Sequence, residues 1–338
     1  MFWLIRCRTD AFEFYSVRHD EPESLFLIPE HKSQQRYNYL FGGIGDARHL
    51  FSTLTSICVV EKAKPDVVKA NYHFTVVDLK PAAITRDLVM LMMLKDVDAA
   101  PDKEATDLLL ATIYYTFIGP CMPLFAYNIL QSYISRLLTI LQGQDTFPPF
   151  LGLPKMHDQG VKKILRQWQH EVAATYSVAD IRKLVQKGRN KDRGQADSAP
   201  YVARAAPLFC QKEEHFYMRT AILFPPPSQA ARSELVKERQ AFVRFNPRTN
   251  SSVDKAMLDH VDKTWKVNVT MIDLAWEQSR IGFGLRVNGV NIDALDMNHD
   301  PFELIDHLLE LYFSPCTPAS AAQTMVYWFN IIAKSITA

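Results

Sequence analysis

Tyr37 to Phe41 form an aromatic and aliphatic run, after which come two adjacent glycines and then apolar residues at helical spacing, Leu50, Leu54 and Ile57. The run predicts a buried strand, and the spacing predicts a helix over Asp46 to Val60 with one apolar face. A polar connector, Glu61 to Asn71, leads to the β-branched and aromatic segment Tyr72 to Val77, a second strand ending at Asp78. Pro81 suits the first turn of a helix. Ala82 to Leu94 is apolar nearly all round, which predicts a helix buried on every side.

Helical patterns continue over 103–118, 122–142, 158–174 and 178–187, with a proline-rich loop from Phe147 to Pro154 between the second and third. Residues 188–200 are polar with two glycines and no aliphatic anchor, a loop composition. A helix ending near Met218 stops at Pro225-Pro226-Pro227, and another pattern runs from Gln229 to Phe242. Lys266 to Leu274 and Phe283 to Val290 are extended in character, with Asn288-Gly289 as a turn signal. Asp300-Pro-Phe-Glu303 and Thr317-Pro318 have the form of caps for two last helices. The expected architecture is α/β, with a Rossmann-like core carrying a large helix-rich remainder. Residues 1–36 form an N-terminal flap, 37–145 the core, and 146–338 a helix-rich region with a few strands, packed on the core as one unit.

Bulk properties narrow the classes. The 338 residues can bury a sizeable core. With 38 basic and 37 acidic residues, global attraction to nucleic acid or to an anionic membrane has no support. The five cysteines are far apart, with no paired-cysteine motif and no Cys/His cluster, so neither a zinc knuckle nor a disulfide framework is readable. The apolar stretch MFWLIR is too short for a signal-peptide core, and the sequons at Asn250 and Asn268 then read as chance. Cytoplasm or nucleus is the expected location. Leu108 to Ser135 carries no charge and is long enough to cross a bilayer. Gly119-Pro120 and Pro123 break it in the middle, so two core helices around a corner are expected instead of a membrane span.

The chemistry concentrates in Gly42-Gly43-Ile44-Gly45-Asp46-Ala47-Arg48. A helix N-terminus offers unpaired backbone N–H groups, and glycines let a polar ligand approach them. The spacing Gly43-x-Gly45-x-Ala47 departs from the dinucleotide fingerprint and resembles the glycine loop of S-adenosylmethionine enzymes. The alternative is a tight strand-to-helix turn with Asp46 as its cap. Asp78 follows the second strand, where cofactor-binding Rossmann folds place an acid for two ribose hydroxyls. Alternatively it caps the next helix. Arg86-Asp87 lies in the apolar helix, and such a pair needs partners: Arg86 would reach Asp78 or Asp46, or a ligand. The groups Glu213-Glu214-His215 and Asp296 to His307 read as ordinary helix surface and caps, and no metal site is expected.

The runs LFGGIGDARHLFSTL and HFTVVDLKPAAITRDLVMLMML resemble a fungal domain of unknown function whose members read LLLGxGDxRNxLxT and then xxDxxxxxxARNxLLLxxL. That domain often accompanies a MYND zinc finger and is related to the N-terminal region of axonemal dynein assembly factors. Gly43, Gly45, Asp46, Arg48, Asp78, Arg86 and Asp87 fall where its pattern puts them, whereas His49 stands where Asn is common. The clear match covers 37–94. The resemblance implies a methyltransferase-like core and supplies no reaction. Because this chain has no MYND cysteines, partner binding through a finger does not carry over.

Three functions follow as expectations. In the first, the chain binds S-adenosylmethionine, with Gly43, Gly45, Asp46, Arg48, Asp78 and Arg86 as cofactor-binding residues and an unknown methyl acceptor. In the second, it is a non-catalytic interaction or assembly factor that offers partners its apolar helices at 122–142 and 318–333. A nucleotide or NAD binder ranks third, because 33 residues separate Gly45 from Asp78 where roughly 20 are usual.

Overall fold

The structure is a computed structural model, and it describes residues 22–26, 36–63, 70–186, 208–246, 254–272, 286–287, 290–291, 301–312 and 320–337. The predicted strand–helix–strand unit is present as β1 (Arg36–Gly42), α1 (Arg48–Ala63) and β2 (Asn71–Val77). β1 and β2 pair in parallel with Tyr37 opposite Tyr72 and Phe41 opposite Val76. Strand alternation sends Tyr37, Tyr39 and Phe41 to one face, where Tyr37 stacks on Tyr72 at 5.7 Å and Tyr39 on Phe74 at 5.4 Å. The other face carries Asn38, Leu40, His73, Thr75 and Val77, all exposed.

Of the expected Rossmann-like core, the described residues show one parallel strand–helix–strand unit. Among the described residues the parallel sheet has two strands, and the protein is mostly helical. The extended segment predicted from Lys266 to Leu274 stops after two residues. β4 (Lys266–Val267) pairs antiparallel with β3 (Cys121–Met122), far from β1 in sequence. Asn268 then turns the chain into a single 3-10 turn, Val269–Met271, by accepting the Thr270 N–H on its side chain. Near the predicted Asn288-Gly289 turn, β5 (Arg286–Val287) and β6 (Val290–Asn291) pair antiparallel. The rest of that stretch, the loop 188–200 and most of the expected flap lie outside the described residues.

The helical body follows its apolar patterns closely. α2 (Pro81–Asp98) is buried from Leu88 to Leu94 without a break, as an all-apolar helix must be. α3 (Lys103–Ile118) begins at Asp102, whose side chain accepts the Ala105 N–H, and ends at the predicted corner. Gly119 is required there, since a Cβ would sit 2.7 Å from the Tyr115 carbonyl oxygen. α4 (Leu124–Leu141) returns along α3. No helix among the described residues is long and apolar enough to cross a membrane. α5 (Asp158–Arg166) passes through a π-helical turn, Gln167–Glu171, into α6 (Val172–Thr175), and α7 spans 178–186. The extra residue of the π turn accompanies Trp168, which is buried and donates its indole N–H to the Ile272 carbonyl at 3.2 Å.

α8 (Leu208–Thr220), α9 (Val236–Arg244), α10 (Lys255–Thr264), α11 (Pro301–Tyr312) and α12 (Ala321–Thr337) complete the order. One boundary moves from the sequence reading. The pattern from Gln229 becomes helix only at Val236, because turns and a short 3-10 segment follow the three prolines. The last helix starts after Ser320, whose hydroxyl accepts the Gln323 N–H, and the predicted cap Thr317-Pro318 lies outside the described residues. α12 packs across α1, α2 and α3. Its Trp328 and Phe329 meet Phe51 at 6.0 and 6.2 Å and Phe117 at 6.0 and 5.3 Å. The apolar faces of α4 and α12 are therefore spent on the protein's own core.

Candidate functional site

The glycine turn sits at the C-terminal end of the two parallel strands, where α/β proteins bind ligands. Three of its residues have left-handed backbones: Gly43 (φ +69), Gly45 (φ +58) and Ala47 (φ +60). Only glycine adopts this region without strain. A Cβ on Gly43 would meet nothing within 4 Å, so backbone conformation and not crowding explains the glycine. Ala47 bears the same conformation with a Cβ, and strain of this kind gathers at ligand sites. Ala47→Gly is expected to leave the fold intact and stabilise it by up to about 1 kcal/mol, the left-handed penalty less the entropy of glycine. A thermal melt would measure this, and a loss of stability would show the alanine to be unstrained.

The turn is fastened to β2. Gly43 and Ile44 donate their N–H groups to the Val77 carbonyl at 2.8 and 3.3 Å. Gly45 donates to Asp78 Oδ2 at 3.0 Å, and Lys80 donates to Asp78 Oδ1 at 2.8 Å. Asp78 thus meets the turn, as the sequence pairing anticipated, and it also steadies the start of α2. Its side of the strands stays open, with Leu79 81% exposed beside it.

The other predicted residues gather in the same place, and Asp46 acts favourably on the Arg86 guanidinium as the sequence pairing expected. Asp46 and Arg48 are both buried and grip each other in a two-pronged pair, Nε to Oδ1 at 2.9 Å and Nη2 to Oδ2 at 2.7 Å. Arg86 is fully buried in α2 and donates Nη2 to the Phe117 carbonyl and, at 3.3 Å, to that of Thr116. A cation at the last carbonyls of α3 complements the negative end of that helix. Asp87 is equally buried, and its Oδ2 meets no hydrogen-bond donor among the described residues. Burial pushes its carboxyl well above the usual range. Arg86 opposes the rise, while Asp46 and Asp78 add to it.

Sequence reasoning missed the clasp on the outer side of α1. Segment 22–26 runs along that helix, with Glu23 donating its N–H to His49 Nδ1 at 3.1 Å and Leu25 donating to Thr53 Oγ1 at 3.0 Å. The only signal was the histidine where the resembling domain has Asn: both side chains offer an acceptor at that position. Also unforeseen was Asn268. It is fully buried, and its Nδ2 lies 3.1, 2.8 and 2.7 Å from the carbonyl oxygens of Tyr115, Thr116 and Gly119. A sequon asparagine so placed cannot accept a glycan in the folded chain.

Residues 15–118 match the family model of a domain of unknown function (DUF4470). The match covers about a third of the chain, from before β1 to the end of α3, and contains every residue of the candidate site. No curated protein and no solved structure matches.

Proposed function

We propose that the turn Gly43–Arg48 and Asp78 form a binding site for S-adenosylmethionine on a Rossmann-like, methyltransferase-like scaffold. The observation that carries this reading is the hydrogen bonding of Asp78. Each carboxylate oxygen already accepts one backbone N–H, which fixes the group's orientation. A carboxylate has about four acceptor sites, so one remains on each oxygen. Two parallel acceptors at the end of a strand suit the vicinal hydroxyls of a ribose. Leu79, next in sequence and largely exposed, offers an apolar surface for an adenine ring.

In the first turn of α1, the N–H groups of His49 and Leu50 meet no acceptor among the described residues. They suit the carboxylate of the cofactor's amino acid part. The Asp46–Arg48 pair shapes this wall, and Arg86 supports it from below by holding α3. Methyl transfer requires chiefly that nucleophile and sulfonium be positioned, so an acid–base dyad is not demanded of the site. The methyl acceptor is not identified by these residues.

The test is calorimetric and thermal-shift titration with S-adenosylmethionine and S-adenosylhomocysteine, on the wild type and on Asp78→Ala. Ligand at a hundred times its Kd stabilises a fold by about 2.7 kcal/mol. A clear upward shift in the wild type is expected, with at least a tenfold loss of affinity in the variant. No binding at millimolar ligand to a folded wild type would overturn the proposal.

That outcome would favour the second reading, a non-catalytic interaction or assembly factor akin to the axonemal dynein assembly factors. The bare outer face of the sheet supports it. Parallel sheets are ordinarily covered on both faces, yet here Leu40 is 63% and Val77 50% exposed. On this reading the partner surface is that face, because the apolar sides of α4 and α12 are buried.

A further inference from the structure

Glu213, on α8, lies outside the candidate site and is 3% exposed. Its Oε2 accepts the N–H of Ala321 at 2.6 Å, at the start of α12 and 108 positions away. Its Oε1 meets no donor among the described residues. Helix starts need acceptors for their first N–H groups, and Glu213 shares this task with the Ser320 hydroxyl. Its place in the fold is therefore a latch joining α8 to the helix that packs across α1, α2 and α3.

Among the described residues no cation pairs with this carboxyl. The groups facing it from α3 are the phenols of Tyr114 and Tyr115, both raised by burial and hence neutral. From its own helix come Lys212, Glu214, His215 and Tyr217. Lys212 is directed elsewhere, over the Phe242 ring at 4.7 Å and toward the Val243 carbonyl. α11 meets α8 through Phe302, 5.8 Å from the Tyr217 ring, and its sequence includes Glu303, Asp306, His307 and Glu310, while residues 313–324 contain no charged residue. The positive end of α12 and the Ala321 and Ala322 N–H groups favour the anion, but burial outweighs them and pushes the carboxyl up to about 8.

We propose that Glu213 is a proton-operated latch for the C-terminal helix: the neutral acid seats the first turn of α12, and the ionised acid releases it. The sign follows from linkage. In the unfolded or undocked chain Glu213 titrates at its ordinary value, 4.5. The stabilisation is complete below that pH and is lost progressively as pH rises to about 8. Release of α12 uncovers Phe51 and Phe117 and loosens the helices that carry the glycine turn and Arg86.

Hydrogen exchange at the Ala321 and Ala322 amides, corrected for intrinsic rate, tests this on the full chain. In the wild type, protection is expected to fall by on the order of several hundredfold between pH 5 and pH 9. In Glu213→Gln, which keeps the acceptor and cannot ionise, it should fall less than tenfold. Equal losses in both proteins, or unchanged protection in the wild type, would overturn the latch. Should the variant not fold, difference infrared spectra decide the matter. Recorded in an Asp87→Asn background, which removes the other buried acid, a neutral carboxyl at pH 6 that disappears by pH 9 supports the proposal, and its absence at pH 6 refutes it.

Discussion

Asn268→Ala is expected to cost about 3–4 kcal/mol, lowering the melting temperature by on the order of 10 °C. Asn268 holds the corner after α3 from outside. Its Nδ2 serves the Tyr115, Thr116 and Gly119 carbonyls, its own N–H meets the Pro120 carbonyl at 3.0 Å, and its Oδ1 receives both the N–H and the hydroxyl of Thr270. Truncation keeps the main-chain bond and loses the rest. The Gly119 carbonyl is left buried without its donor, the costly way to break a hydrogen bond. Asn268→Asp separates the two halves of this role. It retains the Thr270 turn but sets a carboxylate against three carbonyl oxygens, and should be worse than alanine at pH 7. Denaturant melts of the three proteins would show the order. If the aspartate variant matched the wild type, the asparagine would not be acting as a donor at all.

Arg86→Met should cost as much or more, about 3–5 kcal/mol, through a different mechanism. Methionine fills the volume, so packing is nearly conserved. The loss is the positive charge and the donors that close α3. Thr116 and Phe117 lose their Nη2 contact, and Asp87 loses the charge that opposes the rise in its pKa. Arg86→Lys is expected to rescue little, since a single ammonium cannot reproduce the planar fork. Adding Asp87→Asn to Arg86→Met should recover part of the stability, because the stranded acid is then removed. Strict additivity of the two changes in a double-mutant cycle would contradict the coupling between these neighbours.

Legibility from sequence depended on how far away a residue's partner lies. α3 was readable to its ends, since Asp102, the apolar spacing and Gly119-Pro120 are all local signals. Asp78 and Gly45 were paired from the strand–turn–helix grammar, and the structure joins them. The acid near Arg86 is legible, since Asp46 does act on it, but the Thr116 and Phe117 carbonyls it donates to lie thirty residues on, and a carbonyl has no sequence signature. Asn268 was invisible for the same reason, over a longer distance. The extent of the later strands was hidden on another ground. Short β-branched segments such as Lys266 to Leu274 look extended in isolation, and only the side chain of Asn268 reveals that the strand ends after two residues.

The place of α12 has a consequence for how the chain is made. The matched region, residues 15–118, leaves the ribosome well before α12, and Phe51 and Phe117 have no complete cover until Trp328 and Phe329 arrive. About 200 residues separate the two events, which at roughly 5–20 residues per second is some 10–40 seconds of synthesis. Throughout that interval the nascent glycine-turn unit presents an unfinished aromatic surface, which α12 closes on arrival.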